Sequence, residues 1–164
     1  VTNQMVSPLH GGSAFGQAIG NTVDMIVSVG RLLMGGVCER FPKLRFLFLE
    51  SGGGWMATQL ERMDEQVKAF PLERRWLSLL PSEYFRRQCY VSFDADESTL
   101  EFSARSPLVG ADRIIWASDF PHPDAKYPGT TNLLDAAIAG LPRTDQQLIA
   151  GGNAAALYGL DLGL

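Results

Sequence analysis

Four ionisable residues stand where apolar runs stop. His10 follows MVSPL, Glu50 follows LRFLFL, Asp94 follows YVSF, and Asp119 follows IIWAS. His122 comes three residues after Asp119, between two prolines in SDFPHP, and with His10 it completes the histidine count of two. Histidine nitrogen and carboxylate oxygen are ligands for Zn²⁺ or a similar ion that keeps one position open for water or substrate. An aspartate at such a place can also take a proton from metal-bound water as a general base. Glycines accompany the first two sites, Gly11-Gly12 after His10 and Gly52-Gly53-Gly54 after Glu50. Glycine lets backbone approach closely or adopt positive φ beside a polar group.

Each residue also has a plainer reading. His10 fits a hydrogen-bonded structural histidine as well as a ligand, and Glu50 fits a buried carboxylate or a helix cap. Asp94, Asp96 and Glu97 read as a solvated acidic cluster that starts a helix, with Asp94 alone carried forward as a site candidate. His122 fits packing or capping as well as a substrate contact. Asp119 is the strongest functional candidate, because the SDFPHP turn directly follows a hydrophobic strand. Trp55, Trp76 and Trp116 suit a core better than a substrate platform, and Trp55 is kept as a candidate substrate contact. Arg86-Arg87 reads as surface, with neutralisation of an anionic substrate by one of them as the alternative. The triplet Gly52 to Gly54 is no phosphate loop, since the Gly-Lys-Ser/Thr signature is missing.

What would bring these residues together is an alternation of strands and helices. Short strands are expected at residues 5–9, 44–49, 88–93 and 114–117. The second is a nearly continuous apolar run, as in a strand buried on both faces of a parallel sheet. Apolar spacing of three and four predicts a helix over residues 21–41, weakened at Gly35-Gly36 and stopped by Pro42. A second helix is expected from Trp55 to about Val67, and residues 71–85 read as irregular or as short helical turns. Helical pieces follow at 98–105, 133–139 and 145–149, with Asn153 capping a last turn. Parallel strands need crossovers of this length. An open α/β sheet and part of a (β/α) barrel both fit. In either, all strand exits share one edge, where ligands and catalytic groups gather.

The bulk numbers set bounds. The 164 residues suit one domain with a sizeable core. A net charge of −4 offers no basic footprint for nucleic acid and argues against an anionic membrane surface. No apolar run approaches the length of a membrane span. Cys38 and Cys89 read as buried thiols of a reducing compartment, so a cytoplasmic location is expected.

Five blocks taken in order, LHGGS, FPKLRFLFLESGGGWM with ERMDE, RQCYVSFDADE, GADRIIWASDFPHPD and GGNAAALYGL, resemble the amidohydrolase-related family. They are most similar to its branch that includes aminocarboxymuconate-semialdehyde decarboxylase. The likeness runs from His10 to Leu160. It implies the C-terminal half of a (β/α)₈ TIM barrel, about four parallel strands alternating with helices. It also implies a divalent metal, zinc first with manganese or iron as alternatives. His10 matches the metal-binding histidine after the fifth strand, and Asp119 the aspartate after the eighth. Where the family usually has a catalytic histidine after the sixth strand, this sequence has Glu50. No His-x-His occurs, and the chain opens without Met, as expected of a fragment holding strands five to eight. The isolated residues are therefore expected to be inactive.

The resemblance implies a metal-dependent hydrolase acting on a small organic acid, amide or lactone, with His10, Glu50 and Asp119 as catalytic residues. The alternative is a non-oxidative decarboxylase of an aromatic or unsaturated acid. A third reading is an inactive structural fragment. The expected partners are a small-molecule substrate and a second copy in a homodimer, with neither nucleic acid nor membrane.

Overall fold

The computed structural model describes residues 13–72, 74–122 and 125–161. Three parallel strands form its sheet: β1 (Phe46–Phe48), β2 (Cys89–Asp94) and β3 (Ile114–Ala117), in the order β1-β2-β3. The expected strand at residues 5–9 lies outside the described residues. The chain opens with a short helix α1 (Ser13–Phe15), a π-helical stretch (Gly16–Asn21) and α2 (Thr22–Leu33), followed by α3 (Val37–Arg40). Helices α4 (Met56–Ala69) and α5 (Pro81–Gln88) connect β1 to β2, and α6 (Leu100–Arg105) leads towards β3. Then come α7 (Thr130–Ile138), α8 (Arg143–Gln147), a π-helical stretch (Leu148–Gly152) and α9 (Asn153–Tyr158).

The helices form where the apolar periodicity predicts. Met56, Leu60, Met63 and Val67 stack on one face of α4 and are buried. Val29 and Leu33 do the same on α2. The long helix expected over residues 21–41 is divided at Gly36, whose φ of 74° belongs to the left-handed region. A side chain there would be strained, so the weak point read from Gly35-Gly36 is a real break.

Three expectations are corrected. The run at 44–49 is not buried throughout: Leu44 is 49% and Leu49 41% exposed, both outside β1, which among the described residues stands at one edge of the sheet. Central β2 has the two-sided burial instead, from Cys89 through Phe93. The helical alternative for residues 71–85 holds in its last part, where α5 starts at Pro81; it runs on to Gln88, so the strand begins one residue later than expected. Gln88 is fully buried, and its amide donates to the carbonyls of Phe41 (3.1 Å) and Leu44 (2.9 Å). Asn153 opens α9 without capping it. Its amide reaches across to the carbonyls of Ala111 and Ile114, both at 2.7 Å, and holds the last helix to the base of β3.

Arg86 and Arg87 are structural ties. Arg86 bonds the Val109 carbonyl and Asp112, and Arg87 donates to the Cys38 carbonyl at 2.6 Å. Cys38 and Cys89 are free, buried thiols, as expected.

Glu39 of α3 accepts hydrogen bonds from the Tyr84 hydroxyl, from Ser78 Oγ (2.8 Å) and from the Ser78 N–H (3.3 Å). The Tyr84 bond and then the Ser78 bonds hold this carboxyl below its ordinary 4.5. The unfolded group therefore binds a proton at a pH where the folded one does not. Its stabilising contribution is complete above 4.5 and is lost as pH falls through the lowered folded value. Tyr84→Phe removes the main cause. Urea unfolding followed from about pH 6 to pH 3 should lose stability less steeply in that variant than in wild type. Equal slopes would show that Glu39 is not linked to folding.

Candidate functional site

Parallel pairing brings the strand exits to one edge. Phe48 is in register with Val91, Val91 with Ile114, and Asp94 with Ala117. Glu50 lies two residues beyond β1, Asp94 ends β2, and Asp119 lies two residues beyond β3. A cavity of about 430 Å³ opens there, and Glu50, Asp94, Asp119 and His122 all line it. Four of the six candidate residues are thus brought together from three segments. His10 lies outside the described residues. Trp55 is not among the lining residues. Its indole packs on the core, and its N–H donates to the carbonyls of Ser51 (3.2 Å) and Gly52 (3.0 Å).

The backbone is unusual at the two strand exits that flank β2. Glu50 has φ 68° and Asp119 has φ 57°, the two described non-glycine residues with positive φ. Left-handed backbone is uncommon outside glycine, and strained residues of this kind gather at functional sites. A turn follows Asp119, closed by the His122 N–H donating to the Asp119 carbonyl at 2.9 Å. That turn sets His122 beside the carboxylate-lined edge.

Asp94 and Asp96 are exposed, as expected of solvated acids, but Asp96 and Glu97 also tie the loops together. Asp96 pairs with Lys126 at 3.1 Å, tying the loop after β2 to the loop after β3. Glu97 reaches the other way, to the glycines after β1. Asp94 is left at the cavity wall between these ties. Burial pushes its carboxyl up, and the negative charge of Glu97 adds to the effect. Lys126 opposes the shift, while Asp96 and Asp119 reinforce it.

The second wall of the cavity was not foreseen. Gln17, Ala18, Asn21 and Thr22 come from the π-helical stretch and the start of α2. π-Helical turns recur at functional sites. Ser92 also lines the cavity, on the same face of β2 as Asp94 by the two-residue strand period. That parity was available in the sequence; the helical wall was not, because only the packing of α2 against the strand exits creates it.

The lining residues include three carboxylates and neither lysine nor arginine. Among the described residues, no group of three or more His, Cys, Asp or Glu side chains is placed to hold a metal ion. The described residues therefore do not make a metal centre by themselves, though they offer hard oxygen donors in an electronegative cavity.

A family model described as Amidohydrolase matches residues 15–160. The chain belongs to the amidohydrolase family. It is 28% identical over 145 residues to the 2-amino-3-carboxymuconate-6-semialdehyde decarboxylase of Dictyostelium discoideum, covering 87% of this chain and 39% of that protein. The amidohydrolase chain thus spans about two fifths of the length of that curated relative. Among solved structures, it is similar to 5-carboxyvanillate decarboxylase from Sphingomonas paucimobilis, with a TM-score of 0.77 and 23% identity over 96% of this chain and 47% of that one. It is also similar to a dihydroxybenzoic acid decarboxylase from Polaromonas, solved with manganese and 2-nitroresorcinol. There the TM-score is 0.65 at 19% identity, over 82% of this chain and 39% of that chain. These likenesses establish a shared α/β fold for this amidohydrolase chain. No helix among the described residues is long and apolar enough to cross a membrane.

Proposed function

We propose that this chain is the C-terminal half of a (β/α)₈ barrel, and that its cavity is part of the active site of a metal-dependent carboxy-lyase. The substrate class is a small aromatic or unsaturated acid. The likeness to a decarboxylase over most of the chain carries the choice of reaction. The meeting of Glu50, Asp94 and Asp119 on one cavity supports the choice of site.

In this reading the bond from the substrate's carbon skeleton to its carboxyl breaks. CO₂ leaves, the electron pair stays on carbon, and a proton is added there. Glu50 stands where the resemblance would place an acid/base histidine and is the proposed proton donor. Asp94 lines the same cavity and is proposed as a substrate contact. His122 lies on the same rim as a substrate contact. Asp119 is proposed as the metal ligand supplied by the described residues, with His10 as a second from outside them. A divalent ion, zinc or manganese, would polarise a bound oxygen as a Lewis acid.

Hydrolysis by activated water is the second reading, favoured by the family match itself. The test is to offer the full-length protein 5-carboxyvanillate and dihydroxybenzoate isomers, following CO₂, product mass and metal content. Release of CO₂ with a product one carboxyl shorter supports the carboxy-lyase. Turnover of amide or lactone substrates without CO₂ supports the hydrolase. Absence of bound metal and of both activities would sink both readings.

A further inference from the structure

We propose that Glu97 is a positioning residue, one that sets the Glu50 loop against the cavity without itself touching the reacting atoms. Glu97 does not line the cavity. Its carboxylate accepts the N–H of Gly54 at 2.8 Å, the N–H of Gly53 at 3.1 and 3.2 Å, and the Thr99 hydroxyl at 2.8 Å. Two consecutive amides of the loop after β1 thus converge on one side chain from the loop after β2. Charge-assisted bonds of this kind are short and strong.

The glycines are what allow the approach. A Cβ at Gly53 would lie 2.1 Å from the buried Phe93 ring, and one at Gly54 2.2 Å from Thr99 Oγ1. The loop backbone therefore lies directly on β2 and on the turn after it, and Glu97 closes the seam. The Trp55 indole N–H in turn donates to the Ser51 and Gly52 carbonyls. Two N–H donors and two carbonyl acceptors of the loop are thereby occupied. Glu50, just upstream, has a left-handed backbone that a glutamate rarely adopts. Such a conformation persists only where its surroundings over-determine it. Glu97 and Trp55 supply that constraint through different backbone groups of the loop, and Glu50 lines the cavity.

The effect on turnover rests on the carboxy-lyase reading, whereas the loop placement does not. The test uses full-length wild type, Glu97→Ala and Glu97→Gln, with hydrogen exchange over residues 49–55 and kinetics on the benzoate panel above. In Glu97→Ala, exchange at Gly53 and Gly54 should speed roughly tenfold or more. In that variant kcat should fall roughly 10- to 100-fold with a smaller change in KM. Glu97→Gln keeps one oxygen acceptor and should recover part of both. Unchanged exchange would overturn the proposal whatever the activity. Faster exchange and lowered melting with unchanged kcat would also overturn it, leaving Glu97 a structural staple. Faster exchange in a protein whose wild type releases no CO₂ would uphold the placement and remove the carboxy-lyase reading.

Discussion

Asp119→Asn in the full-length protein is expected to lower turnover roughly 10²- to 10⁴-fold while leaving the fold intact. The substitution separates chemistry from conformation. Asp119 has φ 57°, and asparagine tolerates left-handed backbone at least as well as aspartate. The turn that sets His122 by its N–H bond to the Asp119 carbonyl uses backbone alone, so it survives the change. What is lost is an anionic oxygen at the cavity. No described hydrogen bond or ion pair engages that side chain, so its removal leaves no described polar group stranded. Asp119→Ala is a poorer probe, since it would add backbone strain to the loss of the carboxylate. Steady-state kinetics, metal content and thermal melting measured together decide the matter. Unchanged kinetics with unchanged metal content would remove Asp119 from the mechanism.

The largest expected loss of stability is at Asp64→Ala. Asp64 lies on the apolar face of α4, beside Leu60, Met63 and Val67, and is only 6% exposed. It is there because α5 needs it. Its carboxylate accepts the Ser82 N–H at 2.9 Å and the Ser82 hydroxyl at 2.6 Å. Ser82 is in the first turn of α5, where backbone N–H groups have no partner within the helix. The preceding residue is Pro81, which has no N–H to satisfy. An anion at this end also complements the helix dipole. Removing it strands a buried N–H and a buried hydroxyl, at a cost of about 3 kcal/mol. Ser82→Ala keeps the backbone bond and should cost only about 1 kcal/mol. The double-mutant cycle should show coupling of about 1 kcal/mol, read from denaturant unfolding. Additive losses would show that the pair does not interact as described.

Much of the site could be read before folding was considered. Four apolar runs each ended near a polar residue, and the helical spacing between them called for parallel strands. Parallel strands deliver their exits to one edge by geometry alone, so the meeting of Glu50, Asp94 and Asp119 followed from chain order. The block pattern also pointed to the amidohydrolase family. Gly36 was legible as a break, because positive φ is a local property of one residue.

Tertiary structure alone decided which residues hold that edge in place. Helix α5 was hard to see because its buried face carries two polar side chains, Ser82 and Gln88, that bond groups far away in sequence. Ser82 needs Asp64, and Gln88 needs the carbonyls of Phe41 and Leu44. The partners of Asp96 and Glu97 were hidden for the same reason, since Lys126 and the Gly53 and Gly54 amides are far away in sequence. The bonds from the Trp55 indole N–H to the Ser51 and Gly52 carbonyls were likewise not legible, although the residue itself suited a core. Apolar periodicity reports which face of an element is buried. It carries no record of which buried polar group will meet which partner, because that pairing exists only once the elements have packed.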